Sequence, residues 1–166
     1  MVAQSCSVRI TTNSAGAADS LNGRLRFDRE YPPELGYDSA SRFETMDGPA
    51  SWKAIDADLS GLTDFLGAYA TTENTICYAH CRIVAPSDMD VKLSVGTNDG
   101  AKIWLNGEVV FSKHIGRGAT PHQEELNVHL NEGPNSVLVK LENWGANWQL
   151  YMSADDPDRL LRFDVE

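Results

Sequence analysis

The feature that most constrains this chain is a two-residue alternation of apolar side chains that begins at Cys77 and runs, broken only by turns, to Met152. A period of two puts successive side chains on opposite faces of a pleated strand, so it reports strands with one face toward a core. Cys77, Ala79, Cys81 and Ile83 share one face of the first segment, and the loop "APSDMD" follows. Val91, Leu93 and Val95 repeat the pattern, then Ile103 and Leu105, then Leu126, Val128 and Leu130. Val137, Val139 and Leu141 form another inward face, and Trp148, Leu150 and Met152 complete the series. Within "LNGEVVF", Asn106-Gly107 can supply the two positive φ values of a type I′ turn, which predicts a tight hairpin. Only "LSGLTDFLGAY" invites a helix, and Gly61 and Gly67 count against one. Short strands joined by turns predict an all-β fold, an antiparallel β-sandwich or jelly roll.

A chain of 166 residues suits a single domain with one core, here taken as residues 1–166. Its first 65 or so residues are looser, with "NSAGAADSLNG" and "YPPELGYDSAS" reading as long loops that wrap the sandwich and "SVRIT" and "RLRF" as candidate strands. The net charge of −10 and the scattered basic residues argue against a nucleic-acid partner. No apolar run approaches the roughly 20 residues needed for a membrane-spanning helix. The start, "MVAQSCSVRI", has neither the basic nor the apolar region of a signal peptide, so export is not encoded in those residues. Of the cysteines, Cys77 and Cys81 stand four residues apart in one predicted strand, roughly 13 Å at about 3.3 Å per residue, too far for a disulfide. They are expected to be small core residues, and Cys6 is the third cysteine.

The aligned segments resemble a known family, the galactose-binding-like β-sandwich modules attached to secreted bacterial glycoside hydrolases and polysaccharide lyases. The resemblance rests on Tyr31-Pro32-Pro33-Glu34, Trp52-Lys53, Ala68-Tyr69-Ala70, the stretch from Gly96 to Gly107, the stretch from Leu130 to Asn143, and Trp148. It implies a noncatalytic carbohydrate-binding module, tethered to a catalytic domain in a larger secreted or periplasmic protein, whose partner is a polysaccharide or oligosaccharide. The hairpin is also similar to that of flocculin-type lectin domains, in which two consecutive acidic residues hold a calcium ion that contacts the sugar. Here the pair is Asn98-Asp99, which makes calcium a candidate cofactor with one carboxylate and one amide oxygen as a start. The alternative for Asp99-Gly100 is a β-turn whose side chain bonds its own backbone.

Catalytic signatures are absent: no nucleophile elbow, P-loop, zincin helix or Cys-rich zinc pattern occurs. His80, His114, His122 and His129 have no spacing typical of zinc. A pair of acids drawn from Asp64, Asp99, Glu124 and Glu125 would be the remaining enzymatic option, that of a small glycan hydrolase or lyase. A sugar site needs an aromatic face and a few polar forks. Trp104 and Trp148 fall in strands and are expected in the core, while Trp52 is either a lid or a platform. Trp144 lies in the Gly-containing loop "NWGAN", where a large aromatic needs a reason, and Asn143 and Asn147 flank it as two-way hydrogen-bonding amides. Arg117, in "HIGRGATPH", can add a rigid donor fork if its loop reaches the same end. The expected sugar contacts are therefore Trp144, Asn143, Asn147 and Arg117. The rival expectation is an accessory sandwich that packs on a catalytic domain and binds no sugar.

Overall fold

The computed structural model describes residues 8–13, 27–45, 48–67 and 73–164. Strands β1 (Val8–Asn13), β4 (Lys53–Ile55), β6 (Thr75–Ala85), β8 (Ala101–Leu105), β9 (Glu108–Lys113), β11 (Gly133–Asn143) and β13 (Arg162–Asp164) form one antiparallel sheet. Its order is β4-β1-β6-β11-β8-β9, with β13 beside the far half of β6. A second antiparallel sheet has the order β10-β7-β12-β5, from β10 (Glu124–Leu130), β7 (Met89–Asn98), β12 (Gln149–Ala154) and β5 (Leu62–Asp64). A separate ribbon pairs β2 (Arg42–Thr45) with β3 (Gly48–Ser51). The architecture is the all-β antiparallel sandwich that the alternation predicts.

The alternating residues of both sheets meet in one buried cluster that includes Cys77, Ala79, Cys81 and Ile83 of β6, Leu93 and Val95 of β7, Val137, Val139 and Leu141 of β11, and Leu150 and Met152 of β12. Each fully buried Leu, Ile or Val of this kind contributes about 1.5–3 kcal/mol. Cys77 and Cys81 are free and buried, as strand geometry requires, and Cys6 lies outside the described residues. Trp148 is fully buried in the same cluster against Phe65, with ring centroids 5.9 Å apart. The segment that invited a helix instead carries β5. The hairpin at Asn106-Gly107 has φ values of 51° and 88°, both positive as a type I′ turn demands.

Trp104 is buried, but on the opposite face from Ile103 and Leu105, in a second cluster with Tyr31, Trp52, Ile76, Tyr78 and Leu138. Trp52 is therefore a lid on the outer face of the large sheet. Within the loop that begins "YPPE", Pro32–Leu35 forms a 3-10 turn, with a proline in its first positions where a missing N–H costs nothing. Glu34 hangs from this turn into the sheet face. Its carboxylate accepts hydrogen bonds from Tyr78 Oη and from Lys140 Nζ, the latter at 2.9 Å, and Lys140 also donates to the Arg29 carbonyl at 2.6 Å. Lys140 is fully buried, so burial lowers its pKa while Glu34 opposes the shift. The wrapping segment is thereby pinned to the middle of β11. Ala68-Tyr69-Ala70 and most of "RLRF" lie outside the described residues.

Candidate functional site

The stretch from Val95 to Phe111 is not one hairpin. β7 ends in the four-stranded sheet and β8 begins in the seven-stranded one, so Asn98-Asp99-Gly100 is the point where the chain crosses between sheets. The Asn98–Asp99 peptide is cis. At this same end β9 finishes at Lys113, β10 starts at Glu124, β11 finishes at Asn143 and β12 starts at Gln149. Loops 114–123 and 144–148 therefore converge over the crossing. The Asp99 N–H donates to the Glu142 carbonyl at 3.0 Å, and the Glu142 N–H donates to the Gly100 carbonyl at 2.9 Å, which extends the ladder across the corner.

Asp99 is buried, and its carboxylate joins the two loops. Oδ1 accepts the Arg117 backbone N–H at 2.9 Å, and Oδ2 accepts the Trp144 backbone N–H at 2.7 Å. The alternative reading of Asp99-Gly100, a turn bonded to its own backbone, is thus corrected: the side chain reaches loops 18 and 45 residues away.

Loop 114–123 is further fixed against the four-stranded sheet. The Thr97 N–H donates to Gln123 Oε1 at 3.0 Å, Gln123 Nε2 donates to the Gly118 carbonyl at 2.8 Å, and Ser94 Oγ lies 2.7 Å from His122 Nδ1. The Thr120 carbonyl sits so close to Gly96 that a Cβ there would come within 1.9 Å of it. Arg117 does reach this end, but its fork is occupied. Nη1 donates to Glu124 Oε1 at 2.6 Å, and Nε and Nη2 donate to Thr97 Oγ1 at 3.3 and 2.8 Å. Its side chain is 14% exposed, so the expected open donor fork is corrected to an internal brace. Lys113 and Arg117 together hold the Glu124 carboxyl below its usual range.

Trp144 is 43% exposed. Its buried side lies on Gly116, where a Cβ would be 2.6 Å from the indole Cζ3, and beside the His114 ring at a centroid distance of 5.1 Å. Ile115, 41% exposed, adds a second apolar surface on the adjoining loop. Asn143 is 1% exposed and accepts the Gly145 N–H on Oδ1 at 3.0 Å. Burial corrects the expectation that it contacts sugar directly: it shapes the loop. Asn147 is exposed in that loop.

Glu142, which sequence reasoning did not single out, and His114, which it weighed only as a zinc ligand, complete the end. Glu142 is buried, and His114 Nδ1 lies 3.0 and 2.9 Å from its two carboxylate oxygens. Burial raises the Glu142 pKa, opposed chiefly by the hydrogen bond from His114. The only sequence signal was a charged residue at an otherwise apolar strand end. The remaining candidate acids have partners elsewhere: Glu125 pairs with Lys92 at 3.0 Å, and Asp64 accepts the Leu66 N–H at 3.0 Å.

For calcium, one observation favours the crossing: Asn98 Oδ1 is buried and accepts no hydrogen bond. An amide oxygen left so is costly unless something meets it. Each Asp99 oxygen carries one hydrogen bond and keeps a second lone-pair direction. Asn98 and Asp99 thus fit a hard cation as a two-residue start, and among the described residues no cluster of three or more His, Cys, Asp or Glu side chains adds to them.

Neither a protein-family model nor a curated protein matches the chain. Among solved structures it is similar to a PA14 sugar-binding domain from an RTX adhesin, at 15% identity and a TM-score of 0.53, over 96% of this chain and 96% of that one. It is also similar to the PA14 domain of the MpAFP antifreeze protein, at 13% identity and a TM-score of 0.51, over 94% of this chain and 85% of that one. A β-glucosidase from Kluyveromyces marxianus, in complex with glucose, overlaps at 16% identity and a TM-score of 0.47, over 64% of this chain but only 14% of the enzyme. Likeness at these identities concerns architecture: the chain has the β-sandwich fold seen in PA14 domains.

Proposed function

We propose that this protein is a noncatalytic carbohydrate-binding domain that grips a glycan at its loop-bearing end. The observation that carries the reading is Trp144, an indole held against Gly116 with 43% of its surface open, beside exposed Ile115 and Asn147. A pyranose presents an apolar C–H face and a rim of hydroxyls, so it suits an aromatic platform with an amide at its edge. The fold-likeness to a domain described as sugar-binding supports the reading. Calcium, where bound, would be held by Asn98 Oδ1 and the Asp99 carboxylate and would supply a hard cation for sugar hydroxyls. The domain would act as the accessory part of a larger secreted or periplasmic carbohydrate-active protein.

The test is a panel of neutral gluco-, xylo-, manno- and galacto-oligosaccharides on an array, followed by titration of the hits with wild type and Trp144→Ala. Stacking is worth about 1–3 kcal/mol by analogy with bases on aromatic side chains, so the variant should bind roughly 5- to 150-fold more weakly. A chelator that abolishes binding places calcium in the site, whereas binding that survives it leaves the Trp144 platform acting alone. Full affinity in a folded Trp144→Ala variant would refute the assignment. The second reading is an accessory sandwich without sugar binding, favoured by the more than half of Trp144 that is packed away. It predicts that the variant loses stability and that no glycan on the panel is retained.

A further inference from the structure

We infer that the pair formed by half-buried His114 and buried Glu142 sets the pitch of the Trp144 ring, and thereby how well the loop end accepts a pyranose, a positioning role that rests on the glycan-binding reading above. The ring is constrained from several directions. Its backbone N–H is tied to Asp99, its buried face meets Gly116, and its edge meets the His114 imidazole at an interplanar angle of 56°. Glu142 holds His114 Nδ1 between its two carboxylate oxygens at 3.0 and 2.9 Å, and the imidazole so held is the ring that meets Trp144 at 5.1 Å. That carboxylate cannot drift: on one side it abuts Gly100, where a Cβ would lie 2.3 Å from Oε2, and His114 is backed by Phe27 at 5.5 Å.

A carboxylate taken out of water is weak evidence for stability, because its desolvation cost offsets the gain from its partner. What such a pair supplies well is direction, since a carboxylate that meets one ring nitrogen with both oxygens fixes that ring in angle. Here the imidazole held by Glu142 packs against the aromatic that the solvent sees. The strand end delivers Glu142 two residues before Trp144, and β9 delivers His114 directly after Lys113, so the pair links the two loops underneath the platform.

The experiment uses Glu142→Gln, which keeps the shape but replaces one of the two oxygens facing His114 Nδ1 with an N–H₂. His114→Phe keeps the ring contact with Trp144 but removes the donor, and His114→Gln restores a donor without the ring. Three readouts are taken: acrylamide quenching of tryptophan emission, affinity for the oligosaccharides captured on the array, and thermal unfolding. Trp52, Trp104 and Trp148 are 7%, 9% and 0% exposed, so the quenchable signal reports Trp144, and Trp144→Phe provides the blank. The expected result is altered quenching in Glu142→Gln and His114→Phe, with affinity lowered about 5- to 30-fold, a loss of part of the stacking energy, and partial recovery in His114→Gln. Unchanged quenching in both variants overturns the positioning role whatever the affinity does. Altered quenching with undiminished affinity overturns the link to the sugar. A wild type that captures nothing on the panel refutes the glycan-binding reading and the sugar half of this inference, while quenching still decides whether the pair sets the ring.

Discussion

Replacing Asp99 by Asn tests whether one carboxylate holds the loop end together. In the native protein its two oxygens accept backbone N–H groups of Arg117 and Trp144 at 2.9 and 2.7 Å. The amide that replaces them has one acceptor and one donor, so one of the two loop N–H groups would face an N–H₂. Hydrogen bonds to charged groups contribute about 1.5–3 kcal/mol each, and a buried donor left without an acceptor costs about 1–3 kcal/mol. Against this, neutralising Asp99 relieves its repulsion of the buried Glu142 carboxylate. The hydrogen-bond loss is the larger effect because Glu142 is already counterbalanced by His114, which leaves a net loss of about 2–3 kcal/mol. For a chain of 166 residues that lowers Tm by roughly 4–12 °C, at about 2–4 °C per kcal/mol. Urea unfolding followed by circular dichroism, with and without a chelator, is the assay. The deficit should persist with the chelator present, since it arises from backbone amides. A loss below about 0.5 kcal/mol, or one present only when calcium is available, would refute the strut and leave Asp99 as a metal ligand alone.

Gly96→Ala should destabilise by about 1–3 kcal/mol and displace loop 114–123, because the new methyl would meet the Thr120 carbonyl; differential scanning calorimetry and the array titration check both effects. Gly107→Val should cost roughly 1 kcal/mol or more, since φ is 88° there, and an unchanged Tm would show that the turn tolerates branching. His80 is buried, stacked on Tyr37 at 3.4 Å, and its pKa is lowered by burial, with Arg82 adding to the effect, from 6.5 to about 4. The unfolded chain therefore binds the extra proton first as pH falls, so this residue's stabilisation is complete above pH 6.5 and is lost between 6.5 and about 4. At 1.36 kcal/mol per unit that loss is at most about 3 kcal/mol, and urea unfolding of His80→Gln should show a shallower slope than wild type across that window.

Strand existence and facing were legible because a pleat has a fixed period and the core demands that one face be apolar: Cys77 to Ile83 and Val137 to Leu141 sit where alternation put them. Asn106-Gly107 was legible because positive φ at consecutive positions admits few residue types. Which sheet a strand joins was not, since alternation is blind to partners, and so the crossing at Asn98-Asp99-Gly100 read as part of one hairpin. The two faces of the large sheet are both buried, which let Trp104 pass for an inward residue of the main core. Trp144 was flagged by its size in a Gly loop, and it is exposed. Arg117 and Asn143 carry the same polar groups whether they meet solvent or a neighbour, and only the fold shows that Thr97, Glu124 and Gly145 already engage them. His114 and Glu142 become conspicuous only when residues 28 apart are placed side by side.

The Lys140–Glu34 pair has a consequence for how the molecule is made. The partners are separated by 106 residues, and the chain leaves the ribosome with Glu34 first. At about 5–20 residues per second, Glu34 and its 3-10 turn wait roughly 5–20 s before the amine that anchors them exists. During that interval the aromatic residues of the wrapping segment have no sheet to cover, and β6 lacks the β11 neighbour with which it is paired along eleven registered positions. The order of synthesis thus makes docking of the wrapping segment through this pair a late event. A nascent chain arrested before Lys140 should be cut by protease within residues 27–45, whereas one arrested well beyond it should be protected there.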